Sequence, residues 1–71
     1  MIKVFLVDDH ELVRSGLERL MAGTPDMRIK GTAATYAEAS RRFGGAAFPY
    51  DVVLLDISLP DGNGLSLIPK L

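Results

Sequence analysis

The sequence predicts an α/β fold, a doubly wound parallel sheet running β-α-β-α-β and then into the opening of a third helix. Three observations predict it. Short apolar runs rich in β-branched residues alternate with segments of helical periodicity. Turn-forming clusters separate them at Gly23-Thr24-Pro25-Asp26, Gly44-Gly45 and Pro60-Asp61-Gly62-Asn63-Gly64. The first and third apolar runs both end on acidic residues, at Asp8-Asp9 and at Asp56.

Each element has its own local reason. Ile2–Val7 is apolar, β-branched and aromatic, and reads as a buried strand. Over His10–Met21 the apolar residues Val13, Leu17 and Leu20, joined by Leu12 and Met21, recur at helical spacing. Glu11, Arg14, Glu18 and Arg19 make the outer face, with Arg14 and Glu18 four apart, and Asp8 or Asp9 is expected to cap the start. Met27–Ala34 alternates Met27, Ile29, Gly31 and Ala33 with Arg28, Lys30 and Thr32, as a half-exposed edge strand does. Thr35 with Glu38 is a capping-box pattern for a helix of about eight residues, closed by Gly44-Gly45. Asp51–Leu55 carries Val52-Val53-Leu54-Leu55, apolar on both faces, which suits an interior parallel strand covered on both sides. Leu65–Leu71 looks like the start of another helix, with Pro69 removing one backbone donor and kinking it.

With 71 residues the chain is one domain at most, and a domain this small is marginally stable alone. Hydrophobic residues at 48% and charged residues at 24% exclude a disordered tail. The formal net charge is −1, with eight basic and nine acidic residues interspersed. No basic cluster offers a footprint for DNA or RNA, so nucleic-acid contact is not expected of this segment. Cysteine is absent, which removes disulfides and thiolate metal sites. The apolar N-terminus runs into Asp8-Asp9 too soon for a secretory signal, and no later run spans a bilayer, so a cytoplasmic location is expected.

Parallel strands joined by right-handed crossovers place the first strand between the second and third. The winding reverses there, and ligands bind at the carboxyl ends of such a pair. Asp8, Asp9 and Asp56 follow those ends. Three converging carboxylates repel one another unless a cation joins them, and Mg²⁺ is the hard ion that also takes a phosphate oxygen. A carboxylate oxygen can then attack a phosphoryl group in line and form an acyl phosphate. Taken singly, each piece has a plainer meaning. An Asp pair before a helix is an N-cap, and Asp56 can start a turn. His10 reads as a surface residue at a helix start, and Gly44-Gly45 as a C-cap. The coincidence of acids on two adjacent strand ends is what favours the chemistry.

Two segments carry a family likeness: Val4-Phe5-Leu6-Val7-Asp8-Asp9-His10 with Val13-Arg14-Ser15-Gly16-Leu17, and Asp51-Val52-Val53-Leu54-Leu55-Asp56-Ile57-Ser58-Leu59-Pro60-Asp61-Gly62-Asn63-Gly64. Here the sequence resembles the receiver domain of two-component response regulators, which has the flavodoxin-like fold. The resemblance implies that Asp56 is the phosphoacceptor, that Asp9 ligates Mg²⁺ directly and Asp8 through water, and that the Ser58 carbonyl completes the set. Pro60 and Gly62 would shape the adjoining loop. The phosphoryl source would be a sensor histidine kinase or a small acyl-phosphate donor. The Asp8–Leu17 run is similar to the subfamily with a helix-turn-helix DNA-binding output, which is not in these residues.

There are departures. The family fold has about five strand–helix units, and residues 1–71 are expected to be the N-terminal part of one such domain. The later Ser/Thr, Lys and aromatic switch residue are missing, and Leu59 stands where Met is common. The third strand is expected to be an open edge, so the chain should be a piece of a larger protein or exchange strands with, or dimerise with, a second copy. Two other functions compete. A receiver-like interaction module would never be phosphorylated. A hydrolase or transferase of the haloacid-dehalogenase type would have an acid two residues after its nucleophile, where this chain has Ser58.

Overall fold

The computed structural model describes residues 1–44 and 48–70. Strand β1 (Ile2–Val7), helix α1 (Glu11–Ala22), strand β2 (Met27–Ala33), helix α2 (Tyr36–Phe43) and strand β3 (Val52–Leu55) follow in the expected order. Strands β4 (Ser58–Leu59) and β5 (Gly62–Asn63) then form a small antiparallel ribbon around Pro60-Asp61, and a 3₁₀ helix spans Gly64–Lys70. Gly45 of the expected helix-closing pair and Leu71 of the expected third helix lie outside the described residues.

The main sheet is parallel and ordered β2-β1-β3, so the first strand is central as the doubly wound arrangement requires. Val7 lies opposite both Ala33 and Leu55. Two backbone bonds carry the register past the strand ends. The Asp8 N–H donates to the Ala33 carbonyl at 3.0 Å, and the Asp56 N–H donates to the Val7 carbonyl at 2.9 Å. At the other end, the Asp51 N–H reaches the Lys3 carbonyl at 2.7 Å while its carboxylate accepts from the Lys3 N–H at 2.8 Å. That clasp fixes where β3 begins.

Alternation along β1 sends Phe5 and Val7 to one face and Val4 and Leu6 to the other, and all four are buried. Phe5 and Val7 join Ala33, Ala39, Phe43, Leu59 and Leu67 in the core. Around Phe5 stand the rings of Phe43, Phe48 and Tyr50, with centroids 5.6, 5.6 and 5.0 Å away. Gly31 makes room for them, since a Cβ there would stand 2.8 Å from Phe5 Cδ2. Arg42 closes the cluster, its guanidinium 5.0 Å over the Phe5 ring and donating to the Tyr50 hydroxyl at 2.8 Å.

Several expectations need correction. The apolar stripe of α1 is not buried: Leu12 and Leu20 are 88% and 71% exposed. The helix lies chiefly against β2, and among the described residues no second layer covers its stripe. Arg14 does not pair with Glu18 among the described residues; its guanidinium turns back and donates to the Asp8 carbonyl at 2.7 Å. Strand β3 is only half-buried, because β1 is its one neighbour among the described residues. The register of β1 on β2 skips Lys30, which interrupts the expected alternation of β2. Finally, the expected third helix is a 3₁₀ helix. An α-helical Pro69 would push its ring against the carbonyl four residues back, and Leu67 anchors the segment in the core instead.

Candidate functional site

Because Val7 and Leu55 are register partners, the chain leaves both strands at one level, and the acids that follow meet there. Asp8 and Asp56 are half-buried, with 14% and 22% of their side chains exposed, whereas Asp9 is an exposed residue with 29% of its side chain open. Asp8, Asp9, Asp56 and His10 each bring one ligand atom into a cluster no wider than 4.8 Å. The acids expected to converge therefore do so.

His10 was expected on the surface. It is exposed there as the N-cap residue of α1, and its ring in addition stands against the acids. Nδ1 stands 2.9 Å from Asp8 Oδ1, 3.0 Å from Asp9 Oδ1 and 3.8 Å from Asp56 Oδ2. Neither Asp8 nor Asp9 caps the helix in the expected way, for the Asp8 carboxylate accepts the N–H of His10 itself at 2.8 Å. Adjacency to the Asp pair was the one hint, but successive side chains can point to opposite sides, so the path between β1 and α1 decides the contact. The bond to Asp8, then the charge of Asp9, raises the His10 pKa above its ordinary 6.5. The stabilisation that its protonated ring gains is fully present below 6.5 and is lost as pH rises through the raised value.

The loop after β3 is held from two sides. The Ser58 N–H donates to Asp56 Oδ1 at 3.1 Å, and the Gly64 N–H returns to the Ile57 carbonyl at 2.7 Å. On its far side Asp61 grips the N-terminus of α2, its carboxylate accepting from the N–H groups of Tyr36 at 2.6 Å and Ala37 at 3.0 Å. Thr35 Oγ1 takes the Glu38 N–H at 3.1 Å, as the capping pattern predicted. Gly62 lies on the Tyr36 ring, where a Cβ would come within 2.9 Å of Cδ2. Sequence reasoning missed the role of Asp61 because its partners are 24 and 25 residues away. Only its place in a turn cluster hinted at it.

The donor set fits a hard divalent cation. Three carboxylates share one small volume, and among the described residues no Lys or Arg side chain forms an ion pair with them. Ser58 adjoins the cluster through its N–H on Asp56. An open groove is lined by the apolar Leu6, Val7, Leu17, Leu54 and Leu55 together with Asp8, His10 and Asp56. Among the described residues no helix is long and apolar enough to cross a membrane.

Comparison with known proteins decides the family. The response regulator receiver domain matches residues 4–71. The chain belongs to the response regulator receiver family. This receiver is 54% identical over 67 residues to the DNA-binding transcriptional activator DevR/DosR of Mycobacterium tuberculosis, a match covering 94% of the chain and 30% of that protein. The response regulator domain of Thermotoga maritima CheB superposes with a TM-score of 0.82 at 30% identity, over 99% of this receiver and 54% of that chain. A LuxR-family two-component response regulator from an Aurantimonas species gives 0.76 at 34% identity, over 90% and 44%. The receiver thus spans less than a third of DevR/DosR and about half of the CheB domain. The resemblance to regulators with DNA-binding output is borne out by DevR/DosR, a DNA-binding transcriptional activator, and by the LuxR-family regulator.

Proposed function

We propose that this receiver accepts a phosphoryl group on Asp56, from a sensor histidine kinase or a small acyl phosphate, and so controls transcription through an output elsewhere in a longer protein. Residues 1–71 are read as the N-terminal part of a single receiver domain working in the cytoplasm. The observation that carries the proposal is the common level at which β1 and β3 end, which gathers Asp8, Asp9 and Asp56 around one point.

Asp8, Asp9, Asp56 and the Ser58 carbonyl would hold Mg²⁺. When bound, the ion supplies neutralisation of the charge between carboxylate and phosphoryl oxygens. The chain does the rest. With Oδ1 of Asp56 engaged by the Ser58 N–H, Oδ2, which accepts no hydrogen bond among the described residues, would be the attacking oxygen. Its lone pair forms the new O–P bond as the donor's P–N or P–O bond breaks, and the pair of that bond leaves with the imidazole or carboxylate. The Arg14 bond to the Asp8 carbonyl and the Asp61 grip on α2 keep both acid-bearing loops in place. A second copy of the chain is a further partner, through the β3 edge.

Incubation with acetyl phosphate and Mg²⁺, followed by intact-mass spectrometry, tests the assignment. One added phosphoryl group is expected, lost without Mg²⁺ and lost in Asp56→Asn. An adduct that survives Asp56→Asn would place the acceptor elsewhere. No adduct on this chain or on one extended past Leu71 would favour an unphosphorylated interaction module.

A further inference from the structure

We propose that Asp61 is a positioning residue that couples the acidic site to helix α2. Through it the first turn of the helix sets the Ser58 carbonyl, and an occupied cation site in turn steadies that turn. The inference rests on the reading of Asp8, Asp9, Asp56 and the Ser58 carbonyl as that site, and gives the site a mechanical support outside it.

Ser58 pairs with Asn63 and Leu59 with Gly62, which leaves Pro60-Asp61 as the tip of the ribbon. Ser58, Gly62 and Asn63 are exposed, and Leu59 is the ribbon residue that reaches the core. Burial therefore fixes one point of a segment that must hold the Ser58 carbonyl still. The tip supplies a second. Both carboxylate oxygens of Asp61 are used, Oδ1 on the Tyr36 N–H at 2.6 Å and Oδ2 on the Ala37 N–H at 3.0 Å. A carboxylate spread over two adjacent donors cannot swing about either bond, and charge-assisted bonds at the positive end of a helix are among the stronger ones. Gly62 meets the Tyr36 ring, so ribbon and helix also touch beside the tip. The helix is itself anchored, with Ala39 and Phe43 buried and the Phe43 ring 5.6 Å from that of Phe5. A continuous path thus runs from the core through α2, Asp61 and the ribbon to Ser58, whose N–H holds Asp56 at 3.1 Å. Thermodynamic linkage makes such a path act in both directions.

Calorimetric titration of the full chain with Mg²⁺ tests the coupling, using wild type, Asp61→Ala, Asp61→Asn, Thr35→Ala and Asp9→Asn. Asp61→Ala should weaken Mg²⁺ binding about tenfold, the lower end for groups that orient a metal ligand. Asp61→Asn, which keeps one acceptor oxygen, should lose less, and it decides the matter should Asp61→Ala fail to fold. Thr35→Ala removes a cap from the same turn without touching the ribbon, and should bind Mg²⁺ as wild type does. In wild type, saturating Mg²⁺ should slow amide exchange at Tyr36 and Ala37 about fivefold, the lower end for coupled sites, as read by NMR. Equal weakening in the Asp61 and Thr35 variants would reduce Asp61 to a helix cap. Wild-type affinity in the Asp61 variants, or unaltered exchange at Tyr36 and Ala37, would equally overturn the coupling. In each case a site weakened by Asp9→Asn would stand. If Asp9→Asn binds Mg²⁺ as tightly as wild type, the cation site itself fails and the coupling fails with it.

Discussion

Gly64 has no space for a side chain, since a Cβ there would overlap the Asp56 carbonyl oxygen and lie 3.2 Å from Ile57 Cα. Backbone passes directly over backbone at the residue that follows β3, and only glycine allows it. Asp61 works at longer range. The N–H groups of Ala37 and Tyr36 hold its carboxyl below the ordinary 3.8. The stability it contributes is present above 3.8 and is lost as pH falls through the lower folded value. Asp61→Asn keeps one acceptor oxygen but cannot titrate. Denaturation compared at about pH 5.5 and about pH 3 should show a smaller acid loss in Asp61→Asn than in wild type. Equal losses would mean that the acid sensitivity arises elsewhere.

At the scale of elements, α2 shows how local and distant capping combine. Thr35 satisfies the Glu38 N–H, and Asp61 satisfies those of Tyr36 and Ala37, so three donors of the first turn have partners. Thr35→Ala should cost about 1 kcal/mol in urea denaturation, the usual loss for an N-cap. A negligible change would show that the Asp61 grip alone suffices to start the helix. The C-terminal ends need a different account. Gly23 and Gly44 close α1 and α2 in right-handed conformations, at φ −80° and −78°. Neither is chosen there for a left-handed turn. At the end of α1, Arg28 instead donates to the carbonyls of Met21, Thr24 and Met27, which ties the helix to the start of β2.

For the whole molecule, the aromatic packing concentrates on one face of a small sheet. Phe5 is fully buried and packs against Phe43, Phe48 and Tyr50. Phe5→Ala should cost about 3–5 kcal/mol, a large part of what a domain of this size has. Loss of the cooperative thermal transition is the expected result, and a transition near that of wild type would show that another cluster holds the fold. The opposite edge has a separate liability. Strand β3 ends the sheet among the described residues, and Val52 is exposed there. Sedimentation velocity should detect concentration-dependent association, reduced by Val52→Lys, because an edge lysine opposes strand pairing. Association unaffected by that change would place the contact elsewhere, with the exposed stripe of α1 the next surface to alter.

How much was legible follows from the range of each interaction. Strand β1, helix α2 and the order of elements depend on periodicity and caps within a few residues, so the chain declares them locally. The convergence of Asp8, Asp9 and Asp56 was also legible, because parallel strands in register end together and the acids follow those ends. Tertiary structure alone decided the rest. The turn of His10 into the acids depends on the path between β1 and α1, and the Asp61 cap joins segments 24 and 25 residues apart. Helical spacing correctly announced an amphipathic α1, but burial needs a second surface, and among the described residues none covers its stripe. Sequence by itself therefore determined the frame and the acids it carries. Which other groups touch those acids, and which apolar faces are covered, was decided by contacts between distant segments that leave no periodic trace in the chain.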